Sequence, residues 1–322
     1  MKIVFIGKFN ELYHEEGKAR GLQKLGHDVY RFDELFMDPN DIEKIINIDP
    51  DVVIYTKLRF KDSMLFSNKM KEHKILMVSW FPDYCFDWNE GMLKYDKEIC
   101  AISNSDLLII PDGLNKSKWN KLGINQHCVR QEINDDMCFI GNKIENLNKD
   151  ILFIGTLNNG VYKHRIPLIE FLSREYGNKF LHLGGSNSDE IRNSDLNDII
   201  ASVKIIIGDS LYAPSYWSNR IYETIGRGGF ILHSFTEDLD KEYEIGKHFD
   251  VYKTTKNKVG WGREIDYFDL KNKIDFYLKN DRIRKSIAEE GMKYTLKNYT
   301  MTHRCKEVVN IIKSEISNRN LV

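Results

Sequence analysis

Short, unbroken apolar runs recur along the chain, each too short to be a helix of its own. In the first half they lie at Lys2 to Gly7, Asp28 to Phe32, Asp51 to Tyr55, Lys74 to Ser79 and Asp106 to Ile110. Runs such as IVFI, DVVIY and LLII are continuous rather than alternating, which is the pattern of a strand covered on both faces. Parallel strands need long crossovers, and most of the intervals here can hold a helix. Glu15 to Leu25 sets Ala19, Leu22 and Leu25 on one helical stripe, and Gly26 stands where a left-handed cap belongs. Strand, helix, glycine cap and strand make an opening βαβ unit, so the first half is predicted to be a doubly wound α/β lobe.

A second series follows the polar stretch Gly141 to Asp150. Strands are expected at Asp150 to Gly155, Phe180 to Leu183, Val203 to Gly208 and Phe230 to His233. Helices are expected at Arg165 to Tyr176, Leu196 to Ser202 and Ser218 to Ile225, with amphipathic helices from Leu270 through Ile316. A chain of 322 residues has room for two domains of about 150. The expected division is 1–145 and 146–300, with the last helix, about 300–322, crossing back onto the first lobe.

Composition narrows the class. With 42% hydrophobic residues and 6 prolines the chain is a folded protein. Its 47 basic against 48 acidic residues give a net charge of -1, so the whole chain is not a polyanion's electrostatic partner. Five cysteines with no C-x-x-C pair argue against a disulfide framework or a zinc ribbon and for a reducing compartment. No apolar run reaches the roughly 20 residues of a membrane span, and the opening turns polar after Ile6, too soon for a signal peptide. A cytoplasmic protein is expected.

In open α/β sheets ligands bind beyond the carboxyl ends of the strands. The densest segment so placed runs from Ser218 to His233. Arg220 and Glu223 are three apart, hence neighbours on one helical face. A guanidinium clamps a diphosphate and a carboxylate accepts from ribose hydroxyls, which suits a sugar nucleotide. A surface ion pair fits the same spacing. Gly226, Gly228 and Gly229 fit a plain helix-to-strand turn equally well.

The pattern R-x-x-E-x-x-x-x-G-G-F from Arg220 to Phe230, with the helices that follow and ILFIGTLNNGVYKHRIPLIEFL upstream, resembles the carboxyl-terminal domain of CgeB-like glycosyltransferases. The resemblance spans most of residues 150 to 310. It implies the GT-B fold: two Rossmann-like lobes, the donor bound mainly by the second and the acceptor facing the first, across an interdomain cleft. It also implies that Arg220 and Arg165 meet the donor diphosphate and Glu223 the ribose, while Gly155, Gly208, Asp209 and Ser210 line the nucleotide groove, with Asn219 beside them. Residues 206 to 223 are also similar to the matching part of the phage DNA β-glucosyltransferases, in which an Asp after a first-lobe strand is the general base. Here that element is MVSWFPD, ending at Asp83, with Asp87 less favoured; a helix cap or turn is an equal reading of Asp83.

Many retaining GT-B enzymes carry two Glu residues eight positions apart, but eight before Glu223 stands Ser215. Inversion, with Asp83 as base, is therefore preferred for this expected hexosyl- or pentosyltransferase. No metal and no cofactor are expected beyond the donor, a nucleoside-diphosphate sugar and by preference a UDP-sugar. The acceptor stays open among a glycan, a small molecule, a protein and modified DNA; a catalytically silent sugar-nucleotide-binding protein is the competing class.

Weaker signals remain. Gly7 can bring its backbone near a phosphate, yet without G-x-G-x-x-G a strand-ending turn is the plainer reading. His164 reads as a solvated loop histidine. Trp80, Phe81, Tyr84, Phe86 and Trp88 read as a stacking platform or as core, and Tyr212, Tyr216 and Trp217 as base-stacking residues or a loop cover. Lys116, Lys118 and Lys121 with Trp119 read as an exposed charged helix.

Overall fold

A computed structural model of the chain describes residues 1–9, 14–59, 61–85, 102–157, 162, 164–184, 193–211, 213, 215–256 and 262–320. Phe86, Asp87, Trp88 and Tyr212 lie outside the described residues. The chain forms two compact units, Met1–Gln131 with Met301–Val322, and Glu132–Thr300.

The first unit is a six-stranded sheet in the order β2-β1-β3-β4-β5-β6. Its strands are β1 (Lys2–Gly7), β2 (Asp28–Asp33), β3 (Val52–Tyr55), β4 (Leu76–Trp80), β5 (Leu107–Ile110) and β6 (Gln126–Cys128). Every pairing is parallel. Strands β3, β4 and β5 are buried along their whole length, because helices cover both faces. On one face Ile3, Phe5, Ile54 and Val78 pack with Ala19 and Leu22 of α1 (His14–Lys24) and with Val308 and Ile312 of the final helix, Met301–Asn320. The two helices approach closely at Gly21, where a Cβ would stand 2.7 Å from Cys305 Sγ. On the other face Val4, Val53 and Met77 pack with Ile42, Ile45 and Phe66 of α2 (Pro39–Ile48) and α3 (Ser63–Glu72). Gly26 has φ +81°, the left-handed cap its position predicts. In α4 (Lys116–Lys121) Trp119 is buried.

The second unit is a five-stranded sheet in the order β11-β10-β9-β7-β8, again parallel throughout. Its strands are β7 (Ile151–Ile154), β8 (Phe180–Leu183), β9 (Ile205–Gly208), β10 (Ile231–Ser234) and β11 (Asp250–Tyr252). Helices α5 (Arg165–Tyr176) and α8 (Tyr267–Lys279) supply Leu168, Leu172, Leu270 and Ile274 to one face. Helices α6 (Asn193–Ser202) and α7 (Arg220–Gly226) supply Ile200, Ile221 and Ile225 to the other. The short strand β6 and the antiparallel pair β12 (Thr254–Lys256) and β13 (Arg263–Ile265) were not expected from sequence, and β11 was expected only as a strand without bounds between Leu232 and Lys271; each has only three residues.

The second unit begins at Glu132, ahead of the division expected at 145. Ile133 is fully buried beside Leu152 and Ile225, and Asn197 Nδ2 donates to the carbonyls of Met137 (3.0 Å) and Phe139 (2.6 Å). These contacts tie residues 133–139, which precede the polar stretch Gly141 to Asp150, to the second core. Among the described residues no helix is long and apolar enough to cross a membrane.

Candidate functional site

In the second unit the chain runs from β7 to its neighbour β8 and then crosses to β9 on the other side of β7. The carboxyl ends of β7 and β9 therefore flank the point where strand order reverses, the position at which an open α/β sheet leaves a crevice. Asp209 follows β9 there and is the hub of the site. Its carboxylate accepts from Arg165 Nε at 2.7 Å, from Arg220 Nη1 at 2.8 Å and from His164 Nε2 at 3.0 Å. Arg165 is the first residue of α5 and Arg220 the first of α7, so each helix start delivers one guanidinium to the same carboxylate. Burial alone would raise the Asp209 pKa, but the Arg165 and Arg220 charges and the His164 bond hold it well below the usual range. Burial pulls the Arg220 pKa down, and Asp209 opposes that pull.

Glycine makes the convergence possible. Gly155, just past β7, would place a Cβ 3.0 Å from Arg165 Nη1 and 3.0 Å from Arg220 Nη2. Gly184, with φ +92°, brings its backbone against Gly155, where a Cβ would meet the Gly155 main chain at 3.1 Å. Arg165 Nη1 also donates to the Thr156 carbonyl at 3.0 Å. Both guanidiniums lie over the Phe153 ring, and that of Arg165 is 4.0 Å from the Tyr162 ring centre.

Arg220 and Glu223 do not pair with one another as a surface ion pair would. The Glu223 carboxylate accepts from Arg227 Nη1 and, at 3.3 Å, from Asn219 Nδ2. Arg227, almost fully buried, anchors itself on Asn197 Oδ1 at 2.7 Å. Glu223 is thus fixed from beneath by a cation four residues on, an i,i+4 partner that sequence reasoning passed over. Two polar atoms in this region are buried without a partner, His164 Nδ1 and Asn219 Oδ1. His164, expected to be a solvated loop residue, has a side chain only 10% exposed.

The other expected groove residues are interior. Gly208 is buried, and the ring of His233 fills the place of its Cβ, with Cδ2 2.4 Å from it. Ser210 Oγ accepts from the Ser218 N–H at 2.8 Å and donates to His233 Nε2 at 3.3 Å. Burial pushes His233 down to about 4, with its Nδ1–H bonded to the Ser234 carbonyl. Trp217 is core, its Nε1–H donating to the Tyr222 hydroxyl at 3.0 Å. Ser215, eight before Glu223, has φ +57° and its hydroxyl donates to Asp238.

In the first unit Asp83 follows β4, its side chain two-fifths exposed, with Lys57 Nζ 3.5 Å away. Trp80, Phe81 and Tyr84 are buried, which makes that part of the aromatic cluster core. Gly7 ends β1, and its carbonyl accepts from the Glu34 N–H at 3.0 Å. Sequence reasoning passed over Glu34: it is buried, burial raises its pKa against a hydrogen bond from the Arg59 backbone, and Oε2 has no partner. Its position directly after β2, at a strand carboxyl end, was the available signal. Among the described residues no three His, Cys, Asp or Glu side chains group as metal ligands.

Residues 165–310 match a family model described as glycosyl transferase-like. No curated protein matches the chain by sequence. Among solved structures, the chain resembles HepE of Anabaena in complex with UDP, with TM-score 0.61, 11% identity and coverage of 98% of this chain and 100% of that one. It also resembles the catalytic domain of starch synthase IV from Arabidopsis thaliana bound to ADP and acarbose (TM-score 0.65, 9% identity, 98% and 99% covered). A third likeness is to sucrose-phosphate synthase from Thermosynechococcus elongatus (TM-score 0.59, 10% identity, 99% and 100% covered). Two parallel-sheet α/β units with these likenesses establish the GT-B fold, and the glycosyl transferase-like family model matches residues 165–310 of it.

Proposed function

We propose that the chain transfers a sugar from a nucleoside-diphosphate donor, UDP-linked by preference, to a hydroxyl acceptor. One observation carries the reading. Two guanidinium groups, from Arg165 and Arg220, converge above Gly155 at the strand-reversal point of the second unit, where a diphosphate can approach the backbone. The structural likenesses support it, since HepE is described with UDP and with UDP-glucose bound.

Departure of the nucleoside diphosphate leaves negative charge on phosphate oxygens. Arg165 and Arg220 meet that charge in a site poor in water, and the amino end of the twelve-residue α5 adds the positive end of its dipole. The Glu223 carboxylate, steadied by Arg227 and Asn219, keeps lone pairs for ribose hydroxyls. The chemistry needs no metal in this reading. Asp83 takes the acceptor proton and the anomeric centre inverts.

The test is direct. Purified protein with UDP-glucose and water as acceptor, in the presence of EDTA, is expected to release UDP slowly, and UDP is expected to raise the thermal midpoint. Arg220→Met should abolish both effects. If no common nucleotide or nucleotide sugar raises the midpoint, the reading fails. Nuclear magnetic resonance of the released sugar anomer reports inversion or retention.

A further inference from the structure

Asp209 sits where a nucleotide-lining residue was expected, yet its carboxylate is already fully committed. It is 3% exposed and accepts from Arg165, Arg220 and His164 at 2.7–3.0 Å. A carboxylate so enclosed offers a bound anion only repulsion. Its geometry serves another purpose. Two guanidiniums that both approach Gly155 would repel each other and swing toward water without a shared counter-charge between their helix starts. A carboxylate oxygen can only accept, so the bond to His164 also places the imidazole proton on Nε2. His164 Nδ1 is left buried and has no partner. Formal charge points the same way. Two guanidinium charges against one carboxylate leave the cluster at +1 with His164 neutral, a surplus that an anion would complete.

We propose that Asp209 is the positioning residue of an anion seat, holding Arg165, Arg220 and His164 around a place that the donor diphosphate fills, and that it does not touch the nucleotide. This rests on the donor reading above for the identity of the anion, though not for the existence of the seat. Arg165 Nη1 and Arg220 Nη2 line the seat over Gly155.

The experiment compares Asp209→Asn with wild type, using inorganic pyrophosphate as the probe. Without anion the variant is expected to melt about 5–10 °C lower, because two buried cations lose their partner. Millimolar pyrophosphate should restore at least half of that loss while shifting wild type less, since the variant's cluster carries the larger positive surplus. A residue with a merely structural role loses the same stability with and without pyrophosphate, and that result overturns the proposal. The double variant Asp209→Asn/Arg220→Met has the wild-type net charge and should melt above Asp209→Asn alone. If Asp209→Asn does not fold, recovery of folding in the double variant decides the matter, and no recovery overturns the proposal. In UDP-glucose hydrolysis Asp209→Asn should lower kcat at least tenfold with KM changed less than threefold. A KM raised tenfold at unchanged kcat would instead show Asp209 to be a direct nucleotide contact. Pyrophosphate rescue with no binding of any sugar nucleotide by wild type would leave the anion seat standing and remove the donor reading; the reverse pattern would do the opposite.

Discussion

Gly155→Ala offers the sharpest test of where a diphosphate sits. The added methyl would lie 3.0 Å from both Arg165 Nη1 and Arg220 Nη2, inside the roughly 3.5–4.0 Å of ordinary contact. Neither guanidinium can retreat freely, because Asp209 pins them at 2.7 and 2.8 Å. Each must give by a few tenths of an ångström, and the methyl itself occupies the surface on which phosphate oxygens would rest. Loss of one charge-assisted hydrogen bond costs about 1.5–3 kcal/mol, so UDP affinity should fall roughly 10- to 150-fold. The backbone at Gly155 is outside the left-handed region, so Ala adds no backbone strain there. The thermal midpoint should therefore move by no more than about 3 °C. Isothermal titration with UDP measures the first quantity and calorimetric melting the second. An affinity within twofold of wild type, in a variant that melts normally, would refute a diphosphate seated between these guanidiniums.

Four further outcomes are expected. Glu223→Gln keeps most of the bonding to Asn219 and weakens the hold on Arg227, so the midpoint should drop by a few degrees while UDP affinity falls more than tenfold; unchanged affinity in a titration removes Glu223 from the ribose. Asp83→Asn should leave UDP affinity intact and lower the rate of UDP-glucose turnover at least tenfold, and wild-type turnover would exclude it as base. His233 has a folded pKa of about 4 against about 6.5 unfolded, so the unfolded chain binds the proton first and stability is lost as pH falls between those values. From pH 7 to pH 5 that loss is about 2 kcal/mol, and His233→Gln should flatten the corresponding slope in urea unfolding. Arg227→Met should destabilise the protein by about 3 kcal/mol or more through Glu223 and Asn197 left unpaired, measured as a fall in the urea midpoint.

Much of the architecture was legible because parallel strands covered on both faces must be continuous apolar runs. Predicted and observed ends of β1, β5 and β8, and of the helix from Arg165, agree to within a residue. The bounds of the three-residue strands were not legible, since Gln126–Cys128 and Asp250–Tyr252 are too short and too polar to carry a period. The early division at Glu132 was hidden for a related reason: the segment is held to the second core by one buried Ile133 and by hydrogen bonds from Asn197, about sixty residues away, and such long-range contacts leave no period in the sequence.

The site shows what spacing can and cannot reveal. Three residues apart on a helix predicts that Arg220 and Glu223 share a face, but it does not predict their partners. Most of those come from other elements: Asp209 from the end of β9, Arg165 and His164 from the start of α5 and Asn197 from α6. Arg227, four residues after Glu223 at the end of the same helix, is a partner that helical spacing does offer. A cluster of long-range partners at one strand-reversal point is produced by topology, and topology enters only when strand order is known. The sheet order β10-β9-β7-β8 places the loop after Ile154 beside the loop after Gly208, so residues more than fifty positions apart become neighbours. Two arginines and one aspartate then interact strongly because each is removed from water, whereas the same three on an exposed helix would be worth almost nothing. The decisive quantity is burial at a particular crevice, and no local pattern in the chain encodes it.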